Sequence, residues 1–580
     1  MYFLSFTDCH KFRRIIPTNL FLMVISRYSI LLVLFFAVIS LSCKQEEGEV
    51  TTVIQNVKGY TFYHGQLEEF SALAFKNGKV VDVYSDTTFK KDPTTKVING
   101  NGKVMLPGLT DAHGHVMSLG FQELHVNLRG TQSLDETLQR VKDYADQYPD
   151  LKWIQGRGWN QTHWAINRFP MAKELDKIIS DRPVWLSRVD GHAGWANTKA
   201  LEMAGITKDT KDPDGGKIIR DKNGNPTGVF VDGATELIAS KIPEPTQKEK
   251  RLALEKALAQ FRSHGLTSVH HAGIYKDTWN LYKDFADNGK LTTRIYAMIR
   301  GTGDNFDELS QNGPIKSYDN DLLSLQSVKL YADGALGSRG AAMLEPYSDD
   351  PDNKGLLFHS QEEMNHMVLK AMSHGYQTNI HAIGDAANRQ VLNAFENAKD
   401  SLGDQGLRNR IEHAQIVALS DIPRFKKLNI IASMQPTHAT SDMNMAVNRI
   451  GPERIKGGYA WQTFLKQGTV VASGSDFPVE HVNPFYGIYS AVSRQDHQGN
   501  PKGGWYPSER MTRKQAFRSF TLDAAYAGHQ EKILGSLEPG KWADFVLVDR
   551  DIFEIPAIQI WQTKVLETWL AGKKVYSANI

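Results

Sequence analysis

Short apolar runs recur through the middle of the chain, and segments with helical periodicity follow most of them. Strands that alternate with helices predict a parallel sheet, and eight of them favour a closed (β/α)8 TIM barrel within residues 106–534. An open doubly wound sheet is the alternative, but no glycine-rich phosphate loop follows the first strand. The eight runs are LPGLTDAH, GLTSVHH, TTRIYAMI, LQSVKLYAD, YQTNIHAI, NRIEHAQI, NIIASMQ and GTVVASGSD.

The gap between the first two predicted barrel strands is too long for a single crossover. It runs from about residue 116 to residue 264 and contains strand and helix signals in LKWIQGRGWN and RPVWLSRVDGHAGWANTKALEMAG. Structureless loops of that length are uncommon in compact domains. We therefore expect an inserted subdomain after the first barrel strand, at about residues 125–262.

Both flanks of the predicted barrel are rich in short alternating runs, which predict β-strands. KVVDVYS and KVINGNGKVMLPG precede the barrel, and GSLEPGKWADFVLVDRD and VLETWLAGKKVYSANI follow it. Because the two ends of a domain often lie close together, these pieces can pair. We expect residues 44–105 and 535–580 to form one composite β-sandwich, which makes the whole an α/β protein.

The first 43 residues have a different pattern. RYSILLVLFFAVISLSC places Arg27 before a short apolar run that ends in small residues and Cys43. This pattern resembles a bacterial lipoprotein signal peptide, and the run is shorter than the roughly 20 residues that span a membrane. We expect residues 1–43 to be a signal peptide, with a lipid on Cys43 anchoring the protein in the cell envelope, facing the periplasm or the exterior. Plain secretion and a permanent membrane helix are the alternatives.

The amino-acid composition limits which kinds of partner the protein can bind. The chain has 580 residues, of which 41% are hydrophobic, so it can bury a large core in more than one structural unit. Lys plus Arg number 67 and Asp plus Glu number 65, so the net charge of +2 provides no basic field for phosphates. We expect a small-molecule substrate and no nucleic acid as partner, and we leave a homodimer open.

Candidate chemistry begins in TDAHGHV, where His113 and His115 stand two apart on the first predicted strand. The strand period of two points both imidazoles to one face, although such a pair also occurs as ordinary hydrogen-bonded residues. Position favours metal binding, because further polar residues lie near the carboxyl ends of later barrel strands, where barrel sites are built. They are Lys329, His381, His413 and Asp476.

Lys329 is unusual because it interrupts the apolar strand SVKLYADGAL. Burying an ammonium without a partner costs several kcal/mol or forces the amine to be neutral. A neutral amine reacts with carbon dioxide to form a carbamate, an anionic oxygen donor that can bridge two divalent cations. A salt bridge between Lys329 and Asp333 or another acid in the barrel is the alternative.

These motifs resemble the amidohydrolase superfamily, most closely its family 3 branch, the YtcJ-like and N-substituted formamide deformylase group. The resemblance covers nearly everything from Val50 onward, and the C-terminal GSLEPGKWADFVLVD is similar to the superfamily's returning strands. It implies metal ligands in a His-x-His of the first strand, a carboxylated lysine, two later histidines and a last aspartate. Here those positions are His113, His115, Lys329, His381, His413 and Asp476.

Such a ligand set suits zinc, and we expect two Zn2+ ions bridged by carboxylated Lys329. Asp476 is the candidate catalytic residue, taking a proton from a metal-activated water and passing it to the leaving nitrogen. The predicted function is cleavage of a C–N bond in an amide, N-formyl or N-acyl compound. Ester or lactone hydrolysis at the same site and a non-catalytic substrate-binding lipoprotein are the alternatives.

Three further residues are candidate substrate contacts. His192 in DGHAGWAN and Trp159 in GRGWNQTHW lie in the insertion, which the resemblance places near the substrate. His438 in QPTHATSD follows the seventh strand and can hydrogen-bond a substrate or cap a loop. Packing within the insertion is the alternative for the first two.

Overall fold

The computed structural model describes residues 50–86, 93–161, 164, 166, 168–188, 193–213, 216–337 and 339–579. The predicted signal segment, including Cys43, and the candidate His192 lie outside the described residues. Across the described ranges, none of the helices combines the length and the apolar character that a membrane crossing requires.

Eight parallel strands form a nearly closed barrel, which confirms the predicted TIM-barrel-like architecture. Each strand pairs in parallel with the next. A bridge from Gly114 to Phe477, just beyond the eighth strand, brings the ends of the sheet together. Barrel strands 1 to 8 are Leu109–Gly114, Leu266–Ile274, Arg294–Arg300, Leu323–Tyr331, Gln377–Ala382, Arg410–His413, Ile431–Met434 and Val471–Ser473.

Strands from both flanks of the barrel join in one eight-stranded sheet. The junction is the antiparallel pair Val104–Pro107 and Phe545–Val548. Rings of Phe545 and Trp569 stack at 5.2 Å in its core. The composite β-layer is therefore present, and its division into a two-layer sandwich stays a prediction. Its strands are Thr52–Tyr63, Gln66–Lys76, Lys79–Tyr84, Lys96–Asn99, Val104–Pro107, Phe545–Val548, Val565–Leu570 and Lys573–Ser577.

The insertion after barrel strand 1 has its own six-stranded sheet and its own apolar core. Helix Gln247–Ser263, near the end of the expected insertion, buries Leu254, Leu258 and Phe261 in the core of the barrel. It therefore serves as the first crossover helix. The insertion strands are Val126–Asn127, Ile154–Trp159, Val184–Arg188, Ala193–Ala196, Gly216–Arg220 and Pro226–Asp232.

Helices surround the barrel and follow most of its strands. Capping boxes at Thr246 and Ser360 satisfy the first backbone N–H groups of two of the crossover helices. Strand Ile315–Tyr318 adds an antiparallel edge to barrel strand 4. The helices are Val116–Glu123, Leu134–Gln147, Ala172–Asp176, Thr198–Met203, Glu236–Ala239, Gln247–Ser263, Lys276–Asp287, Asp304–Leu309, Gln361–Ser373, Asp385–Leu402, Ile422–Leu428, Pro436–Asp442, Ala446–Arg454, Trp461–Lys466, Pro484–Ser493, Arg513–Ser519 and Leu522–Ala527.

Candidate metal centre

The carboxyl ends of the barrel strands bring four of the predicted ligands into direct proximity. The Nε2 atom of His115 lies 3.1 Å from Oδ1 of Asp476, and Nε2 of His113 lies 3.6 Å from the same oxygen. The amine of Lys329 lies 3.3 Å from Nε2 of His113. Barrel strands 1, 4 and 8 therefore contribute to one cluster.

The other two predicted ligands, from barrel strands 5 and 6, join this cluster. The ring of His413 lies 4.9 Å from that of His113 and 4.5 Å from that of His381. The candidate substrate contact His438 is also here, because its Nε2 is 3.9 Å from Oδ2 of Asp476 and its ring stacks on His413 at 5.9 Å. The structure thus assembles every ligand position that the resemblance implied.

The donor geometry fits divalent metal ions. Two groups among the described residues have potential ligand atoms within 4.8 Å of one another, and both include Asp476. The buried Nε2 of His438 has no hydrogen-bond partner within the described part of the chain, so it remains available to contact a bound ion or substrate. Imidazole nitrogens with a carboxylate are a donor set that suits zinc. The groups are His113, His115 and Asp476, and His413, His438 and Asp476.

Lys329 is buried beside these donors, with 1% of its surface exposed. Burial lowers the pKa of its amine to about 8, so far more of the amine is neutral near physiological pH than in an exposed lysine. The alternative partner Asp333 instead accepts backbone N–H groups of Ala342, Ile383 and Gly384. No ion pair between Lys329 and Asp333 occurs among the described residues.

A buried ion pair that sequence reasoning missed holds His113. The Glu412 carboxylate is hydrogen-bonded to Nδ1 of His113, and Arg410 donates to both Glu412 oxygens at 2.7 and 2.9 Å. Burial raises the pKa of Glu412, but the charge of Arg410 and the contact with His113 outweigh it and hold the pKa well below its usual range. Since an ionised carboxylate only accepts, Nδ1 carries the proton and Nε2 keeps its lone pair for a metal.

A signal for this pair exists in the sequence. Barrel strand 6 reads RIEH, and all four of these residues are buried in the structure. Two charged residues in such a short buried strand, like Lys329, would be costly to bury without partners. The strand period of two places Arg410 and Glu412 on the same face, where they can pair with each other.

Further contacts shape the backbone around the ligands. Asp111 accepts hydrogen bonds from the Ser475 hydroxyl at 2.7 Å and from the His113 backbone at 3.1 Å, which ties barrel strand 1 to the segment after strand 8. Burial raises the pKa of Asp111 to about 7. His413 and Asp476 have φ of +73° and +58°, a left-handed conformation that is strained for residues with a side chain and that clusters at functional sites.

The remaining substrate-contact candidates are elsewhere or undescribed. Trp159 is fully buried in the insertion, donates its indole N–H to the Leu186 carbonyl at 2.7 Å and packs against Trp164 and Trp195. Its observed role is packing, and a contact with substrate stays a prediction. His192 lies outside the described residues.

Several known proteins are similar to this chain in sequence. The protein LONG AFTER FAR-RED 3 of Arabidopsis thaliana is 36% identical over 87% of this chain and 88% of its own length. The putative amidohydrolase YtcJ of Bacillus subtilis is 34% identical over 84% of this chain and 92% of its own length. An N-substituted formamide deformylase of Arthrobacter pascens is 27% identical, covering 86% and 94%.

A metal-dependent hydrolase from Pyrococcus horikoshii OT3 has a similar solved structure, with a TM-score of 0.72 and 28% identity over 87% of this chain and 99% of that one. These similarities support a metal-dependent hydrolase. The family model described as "Amidohydrolase family" matches residues 96–576, which include all six predicted ligands. This chain therefore belongs to the amidohydrolase family, in its YtcJ-like branch.

Proposed function

We propose that this hydrolase cleaves the C–N bond of a small amide, N-formyl or N-acyl compound, with zinc as its metal. The observation that carries the proposal is the position of Asp476, whose oxygens face His115 at 3.1 Å and His438 at 3.9 Å within the histidine cluster. A carboxylate so placed would be able to hold a metal ion and to accept a proton from a neighbouring water. The similarity to an N-substituted formamide deformylase supports the choice of bond.

Asp476 is the proton carrier in this proposal. Burial raises its pKa, but the contact with His115 and the other neighbouring imidazoles outweigh burial and hold the pKa well below its usual range. The ionised carboxylate accepts a proton from water as the new C–O bond forms, and returns it to the nitrogen as the C–N bond breaks. When bound, zinc supplies a Lewis acid that polarises the carbonyl and increases the acidity of water.

The other side chains of the cluster would bind the metal and fix the orientation of its ligands. His113, with its tautomer set by Glu412, presents Nε2 to the cluster. Lys329, as a carbamate, would hold the metal through its anionic oxygens, and the lowered pKa of its amine favours formation of that carbamate. The full set of proposed ligands is His113, His115, Lys329, His381, His413 and Asp476.

A substrate panel tests the proposal. The zinc-loaded protein is incubated with N-formyl and N-acyl amines, matched esters and lactones, and release of the amine or alcohol is followed chromatographically. We expect amine release that stops after chelation and returns with zinc. Preferential turnover of the esters or lactones would instead assign the esterase alternative, and bound zinc with no turnover of any compound would favour a binding protein.

Matched variants link the activity to the site. His113→Ala should lose zinc and activity together, because it removes a ligand held at the centre of the cluster. His374→Ala changes an exposed histidine at a helix end and should keep both. Normal zinc content and full activity in His113→Ala would refute the assignment.

A further inference from the structure

Barrel strand 3 ends in an arginine that the proposed hydrolysis does not use. Within this strand Tyr296 and Met298 pack together with Ala272 of strand 2, in a buried cluster separate from the helix-facing core. Since alternate residues of a strand share a face, Arg300 continues the face of Tyr296 and Met298. Arg300 is the only exposed residue of its strand, so its guanidinium emerges at the mouth of the barrel.

Arg300 lies directly beside the candidate metal centre. In the parallel pairing of strands 3 and 4 it is opposite Lys329. The ring of Tyr331 lies between them, with its centroid 5.1 Å from the Arg300 guanidinium carbon and 4.6 Å from the Lys329 amine. Gly273 borders the same three side chains, since a Cβ there would lie 3.7 Å from each of them. One aromatic ring therefore separates the arginine from the proposed bridging ligand.

Aromatic contacts hold the guanidinium in place. Its carbon is 5.8 Å from the ring of Tyr275, and one of its terminal nitrogens donates to the Tyr331 hydroxyl at 3.3 Å. Cation–π contacts use the faces of the guanidinium, whereas carboxylates bind to its edges. The two tyrosines therefore orient the arginine, and the N–H groups that are not bonded to Tyr331 remain able to bind a carboxylate.

Among the residues that the structure describes, Arg300 has no acidic partner. Other cations near this end of the barrel have acidic partners, as Lys276 has in Glu308 and Arg339 has in Asp349. Within the described ranges, no carboxylate lies within ion-pair distance of Arg300. An oriented and unpaired guanidinium beside a reaction centre has the chemistry of an anion-binding subsite.

We propose that Arg300 binds a carboxylate on the substrate, so that the preferred substrates are amides or N-formyl compounds bearing a carboxylate a few bonds from the scissile C–N bond. This inference rests on the proposed function. A carboxylate paired with Arg300 lies one ring away from Lys329, so a scissile carbonyl a few bonds from it would reach the proposed ligands.

Matched substrates test the subsite. The N-formyl derivatives of glycine, β-alanine and γ-aminobutyrate are compared with their primary carboxamides, which have the same shape without the charge, and formate release is measured. For at least one chain length we expect kcat/KM of the acid to exceed that of its carboxamide by on the order of tenfold to a hundredfold, the value of a charged hydrogen-bonded pair. Acids and carboxamides turned over equally well by the unmodified protein would overturn the proposal.

Variants assign the preference to the arginine. Arg300→Met should bring the ratio of acid to carboxamide close to one, and Arg300→Lys, which keeps the charge without the fork, should give an intermediate ratio. Lys276→Met removes one positive charge next to Tyr275 and should keep the ratio of the unmodified protein. An unchanged ratio in Arg300→Met would contradict the proposal.

Binding measurements with the same compounds test the carboxylate subsite separately from the proposed reaction. If no formyl compound is hydrolysed, the proposed reaction fails, and the same acids and carboxamides are titrated into the zinc-loaded protein by calorimetry. Tighter binding of the acid that is lost in Arg300→Met supports the subsite. Equal binding of acid and carboxamide refutes it independently of any catalysis.

Discussion

Lys329 is the residue whose substitution tests the proposed metal bridge most directly. Its buried amine lies 3.3 Å from Nε2 of His113, and the pKa of that amine is lowered. Lys329→Ala should remove the bridging anion and reduce both zinc content and kcat/KM, the latter by at least about 100-fold. Added propionate should restore part of the activity by supplying a carboxylate to the vacated space. Metal analysis and rates with and without propionate check this.

Lys370→Ala is the matched control, because that lysine pairs with Asp307 on the surface. It should keep both zinc and activity. High-resolution electron density of the zinc-loaded protein gives a second measurement, and an unmodified Lys329 amine paired with Asp333 would contradict the bridging role.

Glu412 acts on the metal through His113. Glu412→Gln preserves the shape of the side chain but allows the amide to donate to Nδ1, which would move the proton of His113 onto Nε2. We expect the zinc affinity to fall by about 10- to 100-fold, the usual effect of losing the partner of a ligating histidine. Competition with a fluorescent chelator measures the affinity.

Glu396→Gln provides the comparison, since Glu396 pairs with Arg424 and Lys427 on a helix surface. It should leave the zinc affinity unchanged. The melting temperature of the metal-free proteins separates a metal effect from the destabilisation expected when Arg410 loses its counter-charge. Unchanged zinc affinity in Glu412→Gln would show that Arg410 and Glu412 are only structural.

At the scale of the elements, closure of the barrel depends on the approach of strand 8 to strand 1. A Cβ at Gly474 would lie 2.5 Å from the backbone nitrogen of His113 and 2.6 Å from Oδ1 of Asp111. Gly474→Ala should therefore separate the two strands, lower the free energy of unfolding by about 1–3 kcal/mol and weaken zinc binding as Asp476 moves from His113. Urea unfolding and zinc titration measure these effects.

Gly303→Ala is the control at this scale, because a Cβ at Gly303 meets nothing within 4 Å. Its stability should be close to that of the unmodified protein. If both glycine variants were equally stable, the close approach of these strands would not limit the site.

At the scale of the whole molecule, one buried ion pair joins the amino end of the barrel to the composite sheet. Arg294 of barrel strand 3 donates to Asp544 at 2.7 and 3.1 Å, with 1% and 5% of the side chains exposed. Asp544→Ala leaves the arginine buried without a counter-charge, so the free energy of unfolding should fall by about 3–5 kcal/mol. Chemical denaturation checks the magnitude.

Asp549→Ala removes an acid that pairs with the adjacent Arg550 near the surface, and it should cost less than about 1 kcal/mol. Equal losses in the two variants would mean that the Arg294 pair does not couple the two layers. Zinc affinity should be unaffected by both substitutions, because neither aspartate belongs to the metal cluster.

Attachment of the protein to a membrane is a proposal from the sequence alone, since Cys43 lies outside the described residues. A lipid on Cys43 would make the protein sediment with membranes, and Cys43→Ala should move it to the soluble fraction. Fractionation with immunodetection tests this. Membrane association of unprocessed Cys43→Ala would indicate an anchor helix instead.

Several features of the protein could be predicted from the sequence, because they depend on the local periodicity of apolar residues and on the free-energy cost of burying polar groups. The eight barrel strands are short apolar runs between helical segments. Each strand can be buried only by packing against neighbouring strands and helices, which favours a closed sheet covered by helices. The proximity of six polar residues could also be predicted, because each stands near the carboxyl end of a buried strand and those ends meet at one mouth of a barrel. They are His113, His115, Lys329, His381, His413 and Asp476.

Other features were decided only by tertiary structure. Which acid holds His113 depends on how barrel strands 1 and 6 face each other across the lumen, and Arg300 becomes a candidate only once the register places it opposite Lys329. The packing of helix Gln247–Ser263 on the barrel and of Trp159 within the insertion was visible only in the structure, because an apolar residue does not specify which other segment covers it. Hydrophobic periodicity and the cost of burying a polar group can be recognised from neighbouring residues in the sequence. Which residues contact each other depends on packing between segments that are distant in sequence.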